Sequence, residues 1–165
     1  MLSENFKTNY KKITEKAENA QSSLLALLHE IQRENRHIGE EDLNGLSELT
    51  GLPYARIKTV LTFYNMYNAK KTGKYHLQVC RNLSCHMAGA PNLLKRLKEK
   101  LKIKENEISD DGLFSYSEVE CLGACGTAPV VSVNETYHEN MDTLKLDKLI
   151  EELKAIQGQR SKGTK

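Results

Sequence analysis

Apolar positions follow two different periods along this chain, and the change comes near residue 70. Before it the spacing is helical. A polar, weakly amphipathic opening segment carries Phe6, Tyr10, Ile13 and Ala17, and Ser22 to Ile31 follows with Leu24, Leu27, Leu28 and Ile31 at i, i+3, i+4 and i+7. Beyond a break at Gly39, Glu40 to Leu49 sets Leu43, Leu46 and Leu49 three apart and closes at Thr50-Gly51, as a helix C-terminus does. Pro53 then opens a helix predicted over Tyr54 to Tyr67, with Ile57, Val60, Leu61 and Tyr64 on one side. These segments predict a small helical bundle over residues 1–72.

From Gly73 the period becomes two. Tyr75, Leu77 and Val79 alternate with His76 and Gln78 in a strand that runs straight into Cys80. A helix is predicted from about Ala90 to Leu101 on Leu93, Leu94, Leu97 and Leu101. The turn Asp110-Asp-Gly112 leads to a strand that ends at Ser117-Glu-Val-Glu120, directly before Cys121. An apolar strand Pro129-Val-Val-Ser-Val133, a turn over Asn134 to Thr136 and a short strand at Tyr137 follow. Asp142 or Thr143 caps a last helix through Leu146, Leu149, Ile150 and Leu153. The order β-α-β-β-β-α over residues 73–156 is that of an α/β domain, so the fold class is α+β, and residues 157–165 read as a flexible polar tail.

Composition narrows the function. The chain has 165 residues and a formal net charge of +2, spread evenly along its length, so no basic stripe marks a nucleic-acid footprint. A helix-turn-helix reading of Leu43 to Tyr64 fails for the same reason, since only Arg56 and Lys58 are basic on the would-be recognition helix. No run of about 20 apolar residues exists, and Met1 to Lys12 has no apolar signal core. Direct membrane insertion and secretion are therefore not expected.

The four cysteines change the picture, because they come as two tight pairs, Cys80/Cys85 and Cys121/Cys125, each placed just after a strand. If those strands are the parallel pair of one crossover unit, their C-termini share one end of the sheet and the fold brings all four thiols together. Four thiolates can hold zinc, a 2Fe-2S cluster or a 4Fe-4S cluster, or form disulfides. Cys-x4-Cys with Cys-x3-Cys is wider than a zinc knuckle and unlike the Cys-x2-Cys runs of 4Fe-4S sites, which favours 2Fe-2S while leaving zinc and disulfides open. A Rieske centre needs two histidines, and His86 is alone beside a complete cysteine set, so it reads as a surface residue or as a neighbour of the ligands rather than a ligand. Three residues rather than two between Cys121 and Cys125 weigh against a thioredoxin-type exchange centre. Gly89, Gly123 and Gly126 are expected to let backbone N–H groups approach the sulfurs.

Val79-Cys-Arg-Asn-Leu-Ser-Cys-His-Met-Ala-Gly-Ala90, Glu118-Val-Glu-Cys-Leu-Gly-Ala-Cys-Gly-Thr-Ala-Pro-Val130 and Val133-Asn resemble the thioredoxin-like 2Fe-2S ferredoxin family. The helical segments Leu28-His-Glu-Ile-Gln32 and Val60-Leu-Thr-Phe-Tyr64 extend the likeness over nearly the whole chain. The resemblance implies a thioredoxin-like domain holding one 2Fe-2S cluster, with Cys80 and Cys85 on one iron and Cys121 and Cys125 on the other. It implies an electron-transfer subunit of a respiratory NADH:quinone oxidoreductase, partnered by a flavin- and NADH-binding subunit that keeps the FMN and NAD sites. That places it in a cytoplasmic peripheral arm attached to the membrane through other subunits. No catalytic residue is expected in this chain itself, which has no Gly-x-Gly-x-x-Gly fingerprint after a strand. A soluble NAD-linked hydrogenase, electron-bifurcating or not, or a formate dehydrogenase is the alternative assembly, and a zinc-stabilised adaptor the remote one. Pro129 stands where thioredoxin-like folds keep a cis proline. Arg81 is expected to favour cluster reduction, and Glu118 and Glu120 to oppose it.

Overall fold

The computed structural model describes residues 2–162. It is an α+β protein of two compact units, one ending at Lys71 and the other beginning at Thr72. The first unit holds helices α1 (Glu4–Thr14), α2 (Ala20–Asn35), α3 (Glu40–Thr50) and α4 (Tyr54–Phe63). Their start signals are local: the Ser3 hydroxyl accepts from Phe6 N, Asn19 and Ser22 cap α2 reciprocally, and the Asp42 carboxylate accepts from Gly39 N. Phe6, Leu24, Leu27, Leu28, Ile31, Leu43, Leu46, Ile57 and Leu61 form one buried core with Ile38 and Tyr67. Lys58, on the helix weighed as a DNA reader, pairs with Glu40 at 3.1 Å.

Helix α4 stops four residues short of the expected end. Tyr64 is extended at φ −94° and ψ 118°, and the chain turns so that Tyr67 enters the core and its hydroxyl donates to the Leu25 carbonyl at 2.8 Å. Burying Tyr67 removes its ring from water while the hydroxyl keeps a partner. The helix cannot do both. Phe63, by contrast, is left 73% exposed.

The second unit is a mixed sheet of β1 (Tyr75–Cys80), β2 (Phe114–Val119), β3 (Val131–Val133) and β4 (Thr136–His138) in the order β2-β1-β3-β4. Strands β1 and β2 are parallel, in a register that runs from Tyr75 opposite Phe114 to Cys80 opposite Val119. The other two pairings are antiparallel. Between β1 and β2 lie α5 (Leu83–Met87) and α6 (Ala90–Leu101), and α7 (Thr143–Lys162) follows β4. Leu77, Val79, Phe114, Tyr116, Val131 and Val133 bury one sheet face against Leu93, Leu97, Leu146, Leu149 and Ile150 of α6 and α7. Arg96 binds Asp147 through two nitrogens across those helices, which also fixes their relative register. Helix α7 runs past Gln157, where the sequence predicts a tail, through residues that apart from Gly158 suit a helix, and Lys74 Nζ donates to Gln157 Oε1. Residues 163–165 of that predicted tail lie outside the described residues.

Alternation puts the polar members of the strands on the opposite face. His76 is buried there, with Nδ1 2.8 Å from Ser115 Oγ and Nε2 3.1 Å from Ser117 Oγ. Burial disfavours the charged imidazole and lowers its pKa to about 4. The unfolded chain takes up this proton near pH 6.5, whereas the folded chain resists it until about pH 4. His76 therefore contributes full stability above pH 6.5, and about 3 kcal/mol is lost as the pH falls to 4. Urea unfolding of wild type and His76→Gln across pH 4–7 should show the steeper loss in wild type, and parallel curves would contradict it.

Candidate metal centre

The site begins where the parallel pair ends. Cys80 N donates to the Val130 carbonyl at 3.2 Å, Arg81 N to Val119 at 2.9 Å and Asn82 N to Glu120 at 3.2 Å, so the chain leaving β1 is laced to both neighbouring segments. The Asn82 side chain then accepts from Leu83 N at 2.7 Å and starts α5. This helix is absent from the sequence expectation, because five residues are too few for a periodic pattern and only Asn82 signals a cap. It has a decisive effect. One turn of helix carries Cys85 back inward, where both Cys80 and Cys85 are only 2% exposed.

The second loop is held differently. Cys121 and Cys125 are exposed, with their sulfurs 3.8 Å apart. Gly123 lies between them at φ 80°, and its N–H donates to Cys121 Sγ at 3.3 Å. A 3₁₀ turn over Cys125–Thr127 and a cis Ala128–Pro129 peptide follow. Asn140 N and Met141 N tie this stretch down through the Thr127 and Pro129 carbonyls. Gly89 departs from its expectation, because its N–H donates to the His86 carbonyl at the start of α6, at φ 107°.

Charge and hydrogen bonding link the two loops. The Cys80 thiol donates to the Glu120 carbonyl at 3.1 Å, and Ser84 of α5 is near enough to Cys125 to ease its ionisation. Burial first, then the adjacent Cys80 thiol, pushes Cys85 up to about 11, with Cys125 a further contributor. Cys125 is raised chiefly by its hydrogen bond and charge interaction with Cys121, then by burial, and Ser84 opposes this. Cys85 and Cys125 thus resist ionising unless a cation joins them. That donor set suits a metal centre. Among the described residues no group of three or more His, Cys, Asp or Glu side chains is placed to hold a metal ion; the contacts present are between Cys121 and Cys125 and between Cys85 and Cys80. A two-iron cluster asks for two thiolates at each iron.

Arg81 pairs with Glu120, and Lys98 lies 3.4 Å from Glu118. The two carboxylates expected to oppose reduction thus each carry a cationic partner, which sequence spacing does not disclose. His86 is exposed on α5. Ser84 is the neighbour that the sequence reading misses, since nothing in the motif spacing points a hydroxyl at Cys125.

Comparison with known proteins agrees with this architecture. The family model for thioredoxin-like [2Fe-2S] ferredoxin matches residues 10–154. The E subunit of the NADH-quinone oxidoreductase of Rickettsia prowazekii is 41% identical over 138 residues, covering 82% of this chain and 77% of that one. NADH-quinone oxidoreductase subunit 2 of Thermus thermophilus is 42% identical over 139 residues, covering 84% and 77%. Among solved structures, an NAD+-reducing [NiFe]-hydrogenase in the air-oxidised state superposes with a TM-score of 0.68 at 24% identity. The match covers 80% of this chain and 23% of the hydrogenase chain, a likeness of fold.

The exposure difference predicts thiol reactivity in metal-free protein. At pH 8 a thiol held at about 11 offers roughly a hundredth of the thiolate of an ordinary one, and burial slows access further. Timed iodoacetamide labelling with peptide mapping should find Cys121 and Cys125 modified well before Cys85. One common rate for all four would contradict the asymmetry.

Proposed function

The chain belongs to the thioredoxin-like [2Fe-2S] ferredoxin family, and from that premise we propose that it is the electron-transfer subunit of an NADH:quinone oxidoreductase, holding one 2Fe-2S cluster on Cys80, Cys85, Cys121 and Cys125. Cys80 and Cys85 take one iron, and Cys121 and Cys125 the other. The observation that carries this reading is the meeting of the two cysteine loops at one end of the β1–β2 pair. When bound, such a cluster supplies one-electron storage at a low default potential, near roughly −400 mV in plant-type examples.

The chain's own residues set the conditions for that chemistry. Burial around Cys80 and Cys85 excludes water from one side of the site, while the exposed Cys121 and Cys125 leave the other side open to a partner. The Gly123 N–H aimed at Cys121 Sγ stabilises negative charge on sulfur. Arg81 and Lys98 offset the acidic flank. The partner in this reading is the flavin- and NADH-binding subunit, which keeps FMN and NAD while this chain exchanges single electrons with the flavin. The assembly sits in a cytoplasmic arm attached to the inner membrane through other subunits. Among the described residues no helix is long and apolar enough to cross a membrane.

The fold likeness to an NAD+-reducing hydrogenase favours a second reading, the equivalent subunit of a soluble hydrogenase, bifurcating or not, or of a formate dehydrogenase. The higher identity of the quinone-oxidoreductase relatives favours the first. Affinity purification of the tagged chain from its own cells decides between them. An FMN-containing chain with membrane subunits, and a rhombic paramagnetic signal on this chain after NADH addition, is the expected result. A hydrogenase or formate dehydrogenase chain in their place would overturn the respiratory assignment. In the purified chain, Arg81→Ala should lower the midpoint potential and Glu120→Gln raise it. Each shift should stay below about 59 mV, tenfold in occupancy, because solvent screens both exposed groups. Shifts of the opposite sign would remove Arg81 from the account.

A further inference from the structure

The two cysteine pairs face oxidants very differently. Cys80 and Cys85 are buried, and the Cys80 thiol is occupied by the Glu120 carbonyl. Cys121 and Cys125 are exposed, with sulfurs 3.8 Å apart across a three-residue loop. A disulfide bond is about 2.05 Å long, so the sulfurs must approach by a little under 2 Å. Both cysteines lie between β2 and β3, outside the sheet, so closing that gap moves no strand. The loop also has room, since a Cβ placed on Gly123 or Gly126 would meet nothing within 4 Å.

We propose that the chain, before it receives a cluster, closes Cys121 and Cys125 into a reversible disulfide by exchange with a low-molecular-weight disulfide, and that this bond makes cluster loading conditional on reduction. Only the second clause rests on the ligand reading above. The exchange is two displacements at sulfur. One thiolate of the pair attacks RSSR, forms a mixed disulfide and releases RS⁻. The neighbouring sulfur then attacks the protein-bound sulfur and releases the second RS⁻. In sum the two protein S–H bonds and one reagent S–S bond are replaced by one protein S–S bond and two RSH. The protein dithiol loses two electrons and the reagent gains them. Cys80 and Cys85 stay reduced because the reagent does not reach them.

Trypsin reads the outcome from the sequence. Cleavage after Lys74, Arg81, Lys95, Lys104 and Lys145 puts Cys80 and Cys85 on separate peptides, 75–81 and 82–95, and leaves Cys121 and Cys125 together in 105–145. Full-length metal-free protein is incubated with glutathione disulfide, alkylated in denaturant without reductant, digested and weighed. The proposal expects peptide 105–145 lighter by two hydrogens and unalkylated, with the other two alkylated. A 75–81 peptide linked to 82–95, either of them linked to 105–145, a persistent glutathione adduct or four alkylated cysteines would each overturn it. The oxidised protein should also take up no iron from ferrous salt and sulfide until dithiothreitol is added, and uptake without reductant would overturn the gating. A chain that forms this disulfide but, once reduced, binds zinc and no sulfide would retain the disulfide and refute the cluster reading.

Discussion

Everything proposed for this protein depends on the parallel pairing of β1 with β2. A crossover connects these two parallel strands, so both chains leave the sheet at the same end. The register ends with Cys80 opposite Val119, two residues before Cys121. The lacing of Arg81 N and Asn82 N to the Val119 and Glu120 carbonyls carries the pairing one step past the strands. Slipping the register by one residue would break that lacing and turn Leu77 and Val79 out of the core they share with Tyr116 and Val131. The hydrophobic face thereby fixes where the thiols meet.

Two of the four thiols are under strain of charge rather than of backbone. Cys85 resists ionising because it is buried beside Cys80, and Cys125 because it lies against Cys121. Bound iron would remove that penalty, so the same crowding that disfavours free thiolates favours a metal centre. The pairs are also unequal. Burial suits Cys80 and Cys85 to insulation and the open loop suits Cys121 and Cys125 to exchange, whether of electrons with a partner or of sulfur bonds with a small disulfide.

Much of this is legible in the residues, for identifiable physical reasons. The helical spacing of Leu24, Leu27, Leu28 and Ile31 and the alternation of Tyr75, Leu77 and Val79 are strong because each repeats against one continuous core. The order of elements along the chain follows from them, whereas the sheet order β2-β1-β3-β4 is a property of the folded chain. Helix α5 escapes notice because a single turn has no period, and yet it is what buries Cys85. The end of α4 is misjudged because Tyr64 and Tyr67 keep helical spacing while a distant carbonyl, that of Leu25, draws Tyr67 out of the helix. The pairing of Arg81 with Glu120 and of Lys98 with Glu118 joins residues 39 and 20 apart, a relation that only the folded sheet creates.

The central claim is that the four cysteines form one two-iron centre, and its most direct test is elemental analysis with spectroscopy on the chain purified without oxygen. The account predicts two irons and two inorganic sulfides per chain, no zinc, and a rhombic spin-one-half signal after dithionite reduction. Zinc without sulfide would contradict it and leave the cysteines as a structural clamp.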